Sequence, residues 1–433
     1  MSSSPESRFR WSAVILVAVL PSTLFSTGEG AILPIIPVVS HSLGASLAIA
    51  GLISTMLLVG QLVGDIPSGQ VIAHIGERNA MIGASVLAVL GLITCYFAPN
   101  PWVLGAGIFV IGLATAVFLL ARHAFMTTFV PPKYRARALS TIGGSQRLGY
   151  LVGPFLTAGL LQLTHDPAAS FWIQVVGCLA AAVCLIVLRD PEAQMRAGGR
   201  ETRGEREVER EARGLFRMLR SRRRTLLTLG VAVSTITGLR TGRQVVIPLW
   251  AVSIGLDETT TAVVIGTANV VDFLLFYLGG SIMDRFGRLW VALPVSFGLG
   301  AGFVLLSLTH DLPGSELWYI GVALLLSVAN GLGAGIMMTL GADLADPRDP
   351  APFLGAWRFT SDTGGAATPL AISAVTAVFG LPIAVALLGV VGLVGGVMMR
   401  VFLPRVHPQA STRGTPRGPA PGPPRGSAPA EEA

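Results

Sequence analysis

Residues 69–78 read Gly69-Gln-Val-Ile-Ala73-His74-Ile-Gly76-Glu77-Arg78, and residues 280–288 read Gly280-Ser-Ile-Met-Asp284-Arg285-Phe-Gly287-Arg288. Each is a short polar break between long apolar runs, and the two glycines of the first recur 211 positions later in the second. The same offset carries Pro37 and Gly44 onto Pro248 and Gly255, and Arg147 onto Arg358. Apolar composition alone does not hold one ungapped register across the first, second and fifth runs of each half. The chain therefore reads as a duplicated unit.

The medium in which that unit folds follows from composition. Of 433 residues, 52% are hydrophobic and 13% charged, with a mean hydropathy of +0.67; a soluble domain carries about 25% charged residues. Runs long enough to cross a hydrocarbon core roughly 30 Å thick as helices recur from end to end. Hydropathy with Gly/Pro punctuation places spans at 12–37, 49–72, 79–97, 102–124, 138–163, 168–188, 225–252, 260–282, 289–309, 317–341, 352–377 and 381–403. The expected fold is an all-α membrane protein of twelve transmembrane helices in two pseudo-symmetric six-helix bundles, 1–188 and 225–403. A charged linker, 189–224, joins them, and a Pro/Gly/Arg/Ala-rich tail, 404–433, has the composition of a disordered segment.

A net charge of +7 and a pI near 10.0 do not mark a nucleic-acid protein, because the basic residues form no face on a folded domain. Twelve arginines lie between Arg189 and Arg224, and the other loop arginines, such as Arg78, Arg285 and Arg288, fall in even-numbered loops or termini. Odd-numbered loops carry only acidic charges, among them Asp166, Asp257 and Glu316. By the positive-inside rule both termini are cytoplasmic. The Arg-rich, Lys-poor composition suits a bacterial inner (plasma) membrane, with anionic lipid as the linker's neighbour. Cys95, Cys178 and Cys184 all sit inside apolar runs, which points to packing and to neither disulfides nor a metal site. The first run lacks a small-residue cleavage site and reads as a retained helix.

Three motifs carry a family resemblance. Gly280 to Arg288 fits a G-x-x-x-D-R-x-G-R loop at every specified position, while its counterpart has Ala73 in place of the aspartate. Span 5 contains Gly149, Gly153 and Pro154, and span 1 contains Gly28 followed by Pro34 and Pro37. These resemble the major facilitator superfamily and, within it, the twelve-helix drug:proton antiporters. The resemblance implies alternating access around a site at the bilayer midplane between the halves. It implies a gating role for Gly69, Gly76, Arg78, Gly280, Asp284, Arg285, Gly287 and Arg288. An arginine those exporters carry early in span 4 is absent, since Ile108 precedes Gly112 by four residues.

An ionisable residue at the centre of a span costs roughly 2.5–3.5 kcal/mol, so each needs a partner, a wet cavity or a task. Glu29 in span 1, Asp272 in span 8 and Asp362 in span 11 are the proton-coupling candidates. Glu29 has a second reading, a structural ion pair with Arg240, its counterpart at the 211-residue offset. Arg147, Arg240, Arg243, Arg358 and Trp357 are the substrate-cavity candidates; Arg358 could equally pair with Asp362, four residues on. Asp65 falls to the gate network. Arg122, at the expected end of span 4, reads as a snorkelling side chain, and Trp250 as packing or an interface anchor.

No G-x-x-x-x-G-K-[ST] phosphate loop is present, so no ATP hydrolysis is expected and transport runs on an ion gradient or downhill. Neither a cofactor, a metal nor an enzymatic activity is expected. The first expectation is proton-coupled efflux of small amphipathic compounds by a monomer. The alternatives are transport of an anionic metabolite through an arginine-lined cavity, and a transporter-like receptor.

Overall fold

The computed structural model describes residues 18–130, 132–187, 218–333, 335–346 and 351–406. The linker over 189–217, the tail beyond 406 and the first turns of span 1 lie outside them. One helix answers each expected span: α1 (Leu20–Ile32, resuming as Ile36–Ser42), α2 (Leu47–Ile75), α3 (Glu77–Tyr96), α4 (Pro101–Phe129), α5 (Pro132–Thr164) and α6 (Phe171–Val187). In the second half these are α7 (Val231–Ser253), α8 (Glu258–Phe286), α9 (Leu289–Leu308), α10 (Ser315–Leu332, resuming as Ile336–Leu344), α11 (Ala351–Phe379) and α12 (Leu381–Val406). No strand occurs among the described residues.

Eight of these helices are long and apolar enough to cross a membrane on their own, and the two segments of α1, bent by 40°, make a ninth. The others, α5, α7 and α11, carry charged residues within their length, among them Arg147, Arg240, Arg243, Arg358 and Asp362. In α1, Pro34 and Pro37 lack backbone N–H donors, and the helix breaks at Leu33–Ile35. In α7 the equivalent Pro248 sits inside a continuous helix.

The repeated glycines are the backbone's special points. Gly44, Gly76, Gly255 and Gly287 have φ of 87°, 89°, 70° and 98°, a region side chains rarely enter. Gly76 and Gly287 end α2 and α8 with N–H bonds to Ile72 and Met283. N-caps repeat too: Ser46 accepts from the Ile49 N–H and Asp257 from the Thr260 N–H.

Each half has its own core. One joins buried residues from Ala18 to Leu185, the other residues from Leu226 to Leu403. Within each half the first and fifth helices pack backbone to backbone. A Cβ on Gly149 would sit 2.7 Å from a Ser26 carbon, and one on Gly153 would strike Ala31 and Thr27. Gly28 packs as closely against Gln174 of α6. The Thr157 hydroxyl seals the α1–α5 seam by donating to the Ala31 carbonyl at 2.7 Å. In α11, Gly364 meets Ser234 of α7 in the same way.

The halves touch at the end carrying the 1–2 and 7–8 corners. Ala45 and Ala50 enter the second core, Gly51 lies against Leu249 and Ser373, and the Phe155 ring packs on Gly266. Towards the opposite end they part around a cavity.

Candidate functional site

The cavity, about 610 Å³, runs from Pro34 and Pro248 beneath the closed corner to His123, Ser140 and Met338 near the other end. His123 and Met338 are exposed there. Two polar clusters line it, one from each half.

The first surrounds Glu29, which at 1% exposed is not itself a lining residue but lies beside Gly30, Arg122 and Tyr150, which are. Glu29 Oε1 accepts from the Gln61 amide of α2 at 3.3 Å, and Oε2 has no hydrogen-bond partner. Tyr150 of α5 and Arg122 of α4 are its other polar neighbours. Arg122 donates to Gln146 Oε1 at 3.4 Å. Glu29 is thus not paired with Arg240, whose guanidinium donates to the Gly333 carbonyl at 3.4 Å. Nor does Arg122 snorkel: α4 continues to Phe129 and places it, 7% exposed, in the cavity wall. Hydropathy stops short of the true helix end because polar residues continue the helix past the apolar run.

The second cluster centres on Arg243, which donates to Ser327 Oγ at 2.5 Å and stands 3.7 Å from Asp272 Oδ2. Asn330 donates to the same oxygen at 2.9 Å. Asp272 therefore acts first as an ion-pair partner. Arg147 of α5 reaches across to lie 4.4 Å over the Phe276 ring of α8, an attractive arrangement for a cation. The neighbouring Asn269 amide donates to the Tyr150 carbonyl at 2.9 Å.

Three of the expected site residues lie elsewhere. Trp357 is 2% exposed, donates to the Met337 carbonyl at 2.9 Å and stacks on Phe353; it packs α11 against α10. Trp250 likewise sits in the second core. Arg358 is largely exposed and pairs with Asp362 at 3.5 Å, so neither lines the cavity. Its counterpart Arg147 has Leu151 where Arg358 has Asp362, and without a partner on its own helix it extends into the cavity.

The loop motifs bind their own halves. Arg288 forks onto Asp343 of α10 at 2.8 and 3.3 Å and donates to the Met283 carbonyl. Arg78 donates to the Leu185 and Ile186 carbonyls at the end of α6. Asp284 and Arg285 are exposed, Arg285 lying over Phe286. Gly69 and Gly280 lie in the last turns of α2 and α8. Among the described residues no group of three or more His, Cys, Asp or Glu could hold a metal ion.

Two related helical bundles around a central polar cavity define a membrane transport protein, not an enzyme. The chain belongs to the Major Facilitator Superfamily, whose sequence model matches residues 19–369 and 244–426. It is 28% identical over 195 residues to myo-inositol transporter 1 of Candida albicans, covering 42% of this chain and 34% of that protein. To the gentisate transporter of Corynebacterium glutamicum it is 29% identical over 176 residues, 40% of this chain and 38% of the other. The multidrug resistance protein MdtG of Citrobacter koseri is 24% identical, with 40% and 42% covered. The chain thus spans well under half the length of each. A D-xylose-proton symporter structure matches at a TM-score of 0.72 and 14% identity, over 92% of this chain and 98% of that one.

Proposed function

We propose that the chain carries small organic anions across the membrane by alternating access, coupled to protons at Glu29. The observation that carries this reading is the charge of the cavity wall: Arg122, Arg147, Arg240 and Arg243 line it against one lining carboxylate, Asp272, with Glu29 buried beside Arg122 and Tyr150. An excess of positive charge in a cavity walled by low-dielectric protein concentrates anions and repels cations. A proton on Glu29 turns the neutral Glu29–Arg122 cluster positive, so proton load and anion load are linked through one wall. The gentisate transporter relative fits this reading. The loop charges support cytoplasmic termini, and on that reading the present conformation is inward-open; cysteines introduced at Asp257 and Arg285 would be labelled from opposite sides of the membrane.

A second reading, proton-antiport efflux of amphipathic compounds, is favoured by the span 1 and span 5 motifs and by the MdtG relatives. Proteoliposomes separate the two. Proton movement elicited by organic acids and lost in Glu29→Gln supports anion coupling. Proton movement elicited only by lipophilic cations overturns it in favour of efflux.

A further inference from the structure

Four arginines face the cavity; one is ion-paired within the protein and a second is walled in beside Glu29. Arg243 is held by Asp272 and Ser327, with Asn330 bracing the carboxylate. Arg122, 7% exposed, donates to Gln146 and has the Glu29 carboxylate as a neighbouring counter-charge, with its Nε and Nη1 lacking hydrogen-bond partners among the described residues. Arg147 and Arg240 have no carboxylate within ion-pair distance among the described residues: one rests on the Phe276 ring, the other on the Gly333 carbonyl. They come from opposite halves and line the same cavity, with Asp272 the carboxylate whose charge acts on both.

We propose that Arg147 and Arg240 form a single anion subsite bridging the two halves, and that it takes the carboxylate of a monoanion whose remaining body is flat and apolar. The proposal rests on the anion reading above. Two planar guanidiniums offer forked donors that match a carboxylate, and an anion between them is attracted to both. The same wall carries the apolar side chains Ile247, Ile265, Ala268, Phe273 and Phe276, with Gln244 and Asn269 as polar residues among them. A second carboxylate set against those apolar side chains would keep its desolvation cost. A ring lies flat against them. Because the two arginines sit on α5 and α7, a bound carboxylate ties the halves together across the cavity, and only the loaded site favours closure.

The test is equilibrium binding of radiolabelled benzoate to the full-length chain in lipid nanodiscs, with benzamide and benzyltrimethylammonium as unlabelled competitors. Benzoate binds, benzamide competes at least about tenfold more weakly, and Arg147→Gln and Arg240→Gln each weaken benzoate by about tenfold, roughly 1.4 kcal/mol. The double variant loses little more than either single one, since one broken fork already spoils the bridge. If a Gln variant fails to elute as a monodisperse peak, Arg147→Lys and Arg240→Lys, which keep the charge and lose the fork, replace it, and each is expected to weaken benzoate measurably. Benzoate binding unchanged in both arginine variants overturns the subsite while leaving anion transport standing. Benzamide binding as well as benzoate overturns the carboxylate assignment. Binding of benzyltrimethylammonium with none of benzoate overturns both the subsite and the anion reading beneath it.

Discussion

Glu29 and Gln61 in the first half stand where Arg240 and Asp272 stand in the second, 211 residues on. Arg122 answers to Gly333, Gln146 to Trp357 and Tyr150 to Ser361 at the same offset. Around these unlike residues the backbone devices match one for one: Gly44 with Gly255, Gly76 with Gly287, Gly153 with Gly364, the cap Ser46 with Asp257. The duplication kept what shapes the bundle and changed what faces its cavity. In the first half an acid is met by an amide and a base from a neighbouring helix; in the second a base is met by an acid. The two walls therefore answer differently to a proton, which neutralises Glu29 in one and would strip Arg243 of its counter-charge at Asp272 in the other.

That contrast can be broken by experiment. The largest effect is expected for Glu29→Gln, which should abolish proton-driven accumulation in proteoliposomes while downhill exchange persists; retained accumulation would remove the first-half cluster from coupling. Next comes the pair Asp272→Asn and Gln61→Ala, compared by melting temperature of the purified protein. Asp272→Asn leaves Arg243 buried without its carboxylate, an expected loss of about 3 kcal/mol, whereas Gln61→Ala removes one hydrogen bond, about 1 kcal/mol. Equal losses would mean the halves are alike after all. Gly76→Ala and Gly287→Ala should by contrast cost similar amounts, about 1–3 kcal/mol each, because both hold backbone angles that side chains avoid. The smallest effect sharpens the difference between the loops. Asp343→Asn weakens the part-buried fork of Arg288 by about 1 kcal/mol; at the matching positions the first half has Glu77 and Pro132.

The fold was legible because its signals are carried by composition and by glycine. Twelve apolar runs correspond to twelve helices, and the 211-residue offset marks the corners at Gly44, Gly76, Gly255 and Gly287. The cavity was legible only in part. Arg147, Arg240, Arg243 and Asp272 announce themselves as charges in apolar runs, but a run does not reveal which face of a helix looks inward, so Trp357 and Arg358 were placed in a cavity they do not touch. Gln61, Tyr150, Gln146 and Asn330 are uncharged and blend into their spans. Gln61 had one available signal, its position 211 residues before Asp272. Arg122 was hidden by the early fading of hydropathy in span 4, and its partner is contributed by α5, which no local pattern connects to it.

Two of the helices that line the cavity, α5 and α7, are also among those least suited to lipid. α5, α7 and α11 are absent from the eight that qualify as spans alone, and α7 brings two arginines, Arg240 and Arg243, into the hydrocarbon layer. Each at a helix centre carries an insertion penalty of roughly 2.5–3.5 kcal/mol. During synthesis α7 therefore has no comfortable place in the bilayer until α8 arrives with Asp272 and α10 with Ser327 and Asn330. The chain's order of emergence decides when the second half can settle, and a nascent protein halted at Ser253 would hold its seventh helix at the membrane's edge.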